Sequence, residues 1–215
     1  MRRGSFLAGL FGEVAVAVLL VSSVGWAQDR AATASARELA TEGLAAYDAG
    51  HYDIAAVRLR QAYQIVRVPA VALHLARSLE RGGRWVEASE IYLEATRLTA
   101  SGTDSNLQQQ ARDRAREARE ALLPRIPRVR VRVENARPED VAVHIDETLI
   151  PSSLLSAGWL VDPGPHRVTG EWLDENVTQL ITLKPSDEPY VTLRFGHDTE
   201  AVPPPRGAAI SPATT

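Results

Sequence analysis

Two windows of this chain, Leu39 to Val66 and Ala72 to Thr99, are related by a single offset. Gly50, Tyr52, Ala55 and Ala62 recur 33 positions later as Gly83, Trp85, Ala88 and Ala95. Repetition at such a period marks stacked supersecondary units, each burying its apolar face only against a neighbour. In the first window Leu39, Gly43, Ala46 and Tyr47 are spaced to share one helical face. Ala49-Gly50-His51 then breaks the helix, and Tyr52, Ala55, Ala56, Leu59, Ala62 and Tyr63 begin another apolar stripe. Leu75, Ala76 and Leu79, then Arg81-Gly82-Gly83, then Trp85, Ala88, Ile91, Tyr92 and Ala95 repeat the pattern. The spacing predicts helices over 35–49, 52–66, 70–81 and 85–98, with Gly50 suited to a left-handed helix end.

Gly43 and Ala76 within the first helices, Gly50-His51-Tyr52 and Gly83-Arg84-Trp85 at the turns, and the alanine pairs Ala55/Ala62 and Ala88/Ala95 resemble the tetratricopeptide repeat. The period is one residue shorter than that family's. The closing proline falls late after the first copy, as Pro69, and is missing after the second. The resemblance implies a groove lined by the first helix of each pair and able to hold a peptide or protein segment. By position its candidate residues are Arg37, Thr41, Ala45 and Asp48, with His74, Arg77 and Ser78.

A fifth helix is expected over 105–123 after the loop Ala100 to Asp104, with Asp104 or Ser105 as its cap. Leu107, Ala111, Ala115, Ala118 and Leu122 form a thin apolar stripe, and Arg112, Arg116, Arg119 and Glu120 are expected to face water. Such a polar helix suits the exposed end of a short stack.

Pro124 and Pro127 end the helical half. From Arg128 the period changes to two: Arg128-Val129-Arg130-Val131-Arg132-Val133 puts valine on one face and arginine on the other. Further short strands are expected over 141–146, 159–161, 166–172, 177–183 and 191–195, punctuated by Pro, Gly, Asn and Asp, which reads as a small antiparallel sandwich. The order Asn135-Ala136-Arg137-Pro138, then Ile145-Asp146-Glu147, then Pro163-Gly164-Pro165-His166-Arg167-Val168 resembles the PEGA-type β-sandwich. Glu147 and Pro165 depart from that family's pattern. The fold class is thus α+β with two domains: helical-hairpin repeats over 35–123 and an all-β sandwich over 128–196. The tail 197–215, rich in Pro and Ala, is expected to be disordered.

Residues 1–27 read as a secretory leader. Arg2 and Arg3 precede the apolar run Val14 to Val24, and Gly25-Trp26-Ala27 supplies the small residues a signal peptidase reads. Cleavage there removes Arg2, Arg3 and Glu13, a net +1, and takes the formal charge from -3 to -4. No apolar span for a transmembrane helix follows. With no cysteine in the sequence, an exported chain relies on its apolar cores. The near-balanced charge gives no sign of nucleic-acid binding.

Chemistry is sparse. His51, His74, His144, His166 and His197 include no pair at metal-ligand spacing on one helix, although His144 and His166 lie on strands that could be neighbours. Arg81-Gly82-Gly83-Arg84 joins two helices and is no phosphate loop. Glu139-Asp140, Asp146-Glu147 and Asp174-Glu175 sit at strand ends, where acidic pairs are ordinary, and no nucleophile elbow occurs around Ser153 or Ser156. No catalytic residue, metal or cofactor is expected. Eight arginines fall between Arg112 and Arg132, of which Arg128, Arg130 and Arg132 share a sheet face and are candidates for an anionic partner such as envelope polysaccharide. The reading is an exported adaptor of the cell envelope that binds a protein segment. The alternative is a carbohydrate- or peptidoglycan-binding accessory protein, favoured if Trp159 and Trp172 are open to solvent.

Overall fold

The two glycine turns carry the same hydrogen bonds. In a computed structural model, which describes residues 12–99 and 104–196, helix α1 (Gly12–Asp48) ends at Gly50 and α3 (Pro69–Arg81) ends at Gly83. At the first end Gly50 N donates to Tyr47 O at 2.9 Å and His51 N to Ala46 O at 2.9 Å. At the second, Gly83 N donates to Glu80 O at 3.2 Å and Arg84 N to Leu79 O at 2.9 Å. Both are Schellman ends, with the glycines at φ +79° and +82°. A Cβ at either glycine would meet nothing within 4 Å, so backbone conformation alone demands glycine there.

The turns launch α2 (Tyr52–Ile65) and α4 (Trp85–Arg97), and α5 (Ser105–Leu122) closes the series. Each helix packs on the next, and α3 also meets α5. Ala55, Ala62, Ala72, Ala76, Ala88 and Ala95 are fully buried, so the helices approach closely. At Gly43 an added Cβ would lie 2.6 Å from Leu59 Cγ. Positions 43 and 76 are thus the small partners, and Leu59 and Tyr92, again 33 apart, are large and buried. Arg60 on α2 and Arg67, just beyond its end, pair with Glu87 and Glu94 on α4, both seven residues apart.

Helix α5 departs from a purely solvating role. Ala111, Ala115 and Leu122 are buried as its stripe requires, whereas Leu107 is 54% exposed. Arg112 and Arg119 do not simply face water: their Nε atoms donate to Thr96 O at 3.2 Å and Ser89 O at 3.1 Å. They flank the thin stripe, and their long stems reach back to carbonyls of the preceding helix. Gln108 Oε1 likewise accepts from Ala70 N at 3.0 Å, capping α3. Asp104 occupies the N-cap position of α5 without a side-chain cap bond.

Helix α1 is continuous from Gly12 through much of the expected leader, of which 1–11 lie outside the described residues, as do 100–103, His197 and the tail. No helix among the described residues is long and apolar enough to cross a membrane.

The chain divides into two compact units. The first holds the helices with the short segments 160–164 and 183–187; the second holds most of the β region. Within the first, Val161 N donates to Pro127 O at 3.0 Å, Ser186 N to Arg125 O at 2.8 Å and Arg128 N to Asp187 O at 2.8 Å.

The strands are β1 (Arg128–Glu134), β2 (Ala142–Ile145), β3 (Thr148–Ile150), β4 (Trp159–Leu160), β5 (Gly164–Trp172), β6 (Glu175–Leu183) and β7 (Tyr190–Arg194). They form two sheets, ordered β4-β1-β7 and β3-β2-β5-β6. The expectation of a wholly antiparallel arrangement is corrected by β1 and β7, which run parallel. Alternation reports which face is buried and carries no strand direction. Strand β3 is also absent from the sequence pattern, being three residues beyond a turn with Asp146 at φ 54°. Gly170 on β5 stands opposite Val143. A Cβ on it would lie 2.8 Å from Leu193 Cδ1 and 2.9 Å from Phe195 Cζ, so the two sheets meet where only glycine fits.

Gly50→Ala and Gly83→Ala should each cost about 1–2 kcal/mol by urea denaturation, from left-handed backbone strain. Gly43→Ala should cost less in a Leu59→Ala background than in the native one. Equal costs in both backgrounds would contradict the close helix contact.

Candidate functional site

Of the groove residues expected from sequence, Arg37, Thr41, Ala45 and Asp48 are exposed on α1, and His74 and Arg77 are half-buried on α3. Ser78 is fully buried and presents no surface to a partner. Its hydroxyl donates to His74 O at 2.9 Å, which satisfies it inside the core. Thr41 makes the same kind of bond to Arg37 O. Asp48, His74 and Arg77 are near enough to interact. Burial, and then Arg77 and Arg114, hold the His74 imidazole below its ordinary value against the opposing pull of Asp48.

The more developed site lies beside Arg77, at the ends of α1 and α3. A cavity of about 630 Å³ is bounded by Tyr47, by Arg77, Glu80 and Arg81, by Trp85 and Tyr92 of α4, and by Arg125. Tyr47 and Glu80 are the same repeat position, and their carbonyls accept the glycine bonds described above. The turn geometry therefore also sets where their side chains project.

Glu80 is the hub. Its carboxylate accepts from the Tyr92 hydroxyl at 2.9 Å and pairs with Arg125 at 3.5 Å. Its carbonyl accepts from Trp85 Nε1 at 3.0 Å. Arg125 also stands over the Trp85 ring, 4.6 Å from the centroid. The Tyr47 side chain lies close enough to Arg81 to hold its guanidinium above the ordinary value. Burial, reinforced by Glu80, pushes the Tyr92 phenol far up, so it stays a neutral donor. Three arginines and one glutamate line the cleft beside Tyr47, Trp85 and Tyr92, leaving its formal charge net positive. This arrangement can hold an anionic group by charge-assisted hydrogen bonds. It offers no activated nucleophile.

Pro163 also lines this cleft, and the neighbouring Asp162 caps α4: Val86 N donates to Asp162 Oδ1 at 2.8 Å. The residue at the N-cap itself, Arg84, makes no side-chain cap bond. A cap supplied from 76 positions away has no local sequence signal. The same holds for Arg125, which joins the cleft from beyond the repeats. The arginine and glycine turn was the only hint within them.

In the β unit, His144 stands opposite Thr169 in register rather than beside His166. His166 Nδ1 lies 2.8 Å from Asp146 Oδ2, and Asp146 Oδ1 accepts from Arg167 N at 3.0 Å. Burial pulls the Asp146 carboxyl upward, but the Arg167 backbone bond and His166 outweigh it and hold it below the ordinary carboxylate value. Among the described residues no group of three or more His, Asp or Glu is placed to hold a metal ion. Trp159 and Trp172 are both half-buried, and Trp172 packs edge-on against Phe195 with centroids 5.8 Å apart. Arg128 and Arg130 are half-buried and Arg132 is exposed on β1.

No protein-family model, curated protein or solved structure matches this chain.

Asp162→Ala should lower stability by about 1 kcal/mol through loss of the α4 cap. Because His74 is depressed in the fold, the unfolded chain takes up the proton first as pH falls below about 6.5. Stability should therefore fall as pH drops through and below about 6.5, and His74→Gln should flatten that part of a urea-denaturation series. An unchanged slope would contradict the burial of His74.

Proposed function

We propose that this chain is an exported, non-catalytic adaptor of the cell envelope whose helical unit holds an acidic segment of a partner protein. The observation that carries the reading is the cleft lined by Arg77, Arg81, Arg125 and Glu80 together with Tyr47 and Trp85, with Arg125 stacked over the Trp85 ring. Guanidiniums take carboxylates bidentately, and the rings offer apolar area to the rest of a bound segment. Exposed Thr41, Ala45 and Asp48 extend the surface along α1. The tetratricopeptide-like reading of the helix pairs and the PEGA-like reading of the β unit agree with a scaffold rather than an enzyme. Export is supported by Arg2, Arg3, the apolar run 14–24 and the small residues at Gly25 and Ala27.

The test is fluorescence anisotropy of the full chain against labelled acidic, neutral and basic peptides. Acidic peptides should bind best, and Arg77→Ala with Arg81→Ala should weaken them at least roughly tenfold. Urea denaturation serves as the check that the double variant is folded. Retention of acidic peptides by the folded double variant would sink the proposal.

A further inference from the structure

We infer a second binding surface, in the β unit: the outward face of β1 and β7 takes a linear anionic polysaccharide. Alternation buries Val129 and Val131 and turns Arg130 and Arg132 outward. Register places Arg130 opposite Tyr190 and Arg132 opposite Thr192. The guanidinium carbons stand 5.5 and 5.6 Å from the Tyr190 ring centroid. Tyr190 is 61% exposed, so its ring is open to a ligand. Here one ring attracts two cations that otherwise repel each other. A guanidinium stacked on an aromatic face keeps its edge N–H donors free for an oxyanion.

The charge on this face is not cancelled. Arg130 pairs with Glu188 at 2.8 Å and Arg194 with Glu134 at 3.0 Å. Arg132 has no carboxylate within ion-pair distance among the described residues. The whole chain carries a formal -3, so attraction of a polyanion would be local to this patch and sensitive to salt.

Three observations select the kind of ligand. Outward arginines stand two residues apart, ~6.6 Å along β1, with Arg130 shared with Glu188 and Arg132 open, which suits an extended, charged chain laid along the strand. An acidic polypeptide would add most readily by main-chain pairing at the outer edge of β7. That edge is occupied by side chains of β6, since Gln179 Nε2 donates to Thr192 O at 2.6 Å and Gly196 N donates to Glu175 Oε2 at 2.8 Å. A lipid surface would call for several projecting apolar side chains, and this face projects Tyr190 among arginine, threonine and glutamate.

The inference is independent of the helical cleft. It is tested by calorimetry on the full chain with polygalacturonate and dextran sulfate, against neutral dextran, polyglutamate and anionic phospholipid vesicles. The anionic polysaccharides should bind on the order of tenfold tighter than neutral dextran or vesicles at moderate salt, and than polyglutamate when the chain carries Arg77→Ala with Arg81→Ala. Arg132→Ala and Tyr190→Ala should each weaken them several-fold, Tyr190→Phe should retain binding, and Arg77→Ala with Arg81→Ala should leave it unchanged. Circular dichroism of each variant separates loss of the site from loss of the fold. Equal binding of neutral dextran, tighter binding of vesicles, tighter binding of polyglutamate by the Arg77→Ala, Arg81→Ala chain, or indifference of a folded Tyr190→Ala chain would overturn it.

Discussion

The helical unit depends on how closely two helices can approach after a left-handed turn that strongly favours glycine. Gly50 and Gly83 take left-handed conformations with open space around them, and each closes its helix with the same pair of backbone hydrogen bonds. Gly43 then lets Leu59 lie against the α1 backbone. These two demands fix the period. A turn shifted by one residue would rotate the second helix about 100° and take its alanines out of the core. The buried alanines between the pairs leave little tolerance for such a shift, since interiors are close-packed.

The same turns produce the cleft. Tyr47 and Glu80 accept the glycine bonds through their carbonyls, so the residues that end α1 and α3 face the cavity. Arg81 follows Glu80 directly, and Trp85 opens the next helix with its indole bonded to the Glu80 carbonyl. A structural necessity thus delivers a carboxylate, a guanidinium and two rings to one place. Glu80 does not neutralise the cleft. It orients Arg125 and keeps a hydrogen bond with a buried phenol that remains protonated. What remains is a preorganised cationic surface lined by aromatic residues and suited to binding an anionic group.

Much of this was legible in the sequence because it is periodic. Four matched residues at one offset predicted the helix pairs, the glycine ends and the buried alanines, and alternation from Arg128 predicted which valines turn inward. What the sequence hid is non-local or directional. The Asp162 cap on α4 and the place of Arg125 over Trp85 join segments distant in the chain. The parallel pairing of β1 with β7 leaves no trace in an alternating pattern. Ser78 was placed in the groove by its position in the repeat, yet a bond to the carbonyl four residues back lets it vanish into the core. Arg112 and Arg119 looked solvated because arginine is charged, yet each reaches a carbonyl of α4.

The central claim is that a partner protein lies in the cleft at the ends of α1 and α3. The most direct measurement is photo-crosslinking in cells, with a benzoylphenylalanine placed at Asp48 beside the cleft and, separately, at Gln61 on the exposed side of α2. The account predicts a discrete protein adduct from position 48 that is absent from position 61. An adduct from position 61 alone, or none from position 48 in a folded and expressed chain, would contradict it.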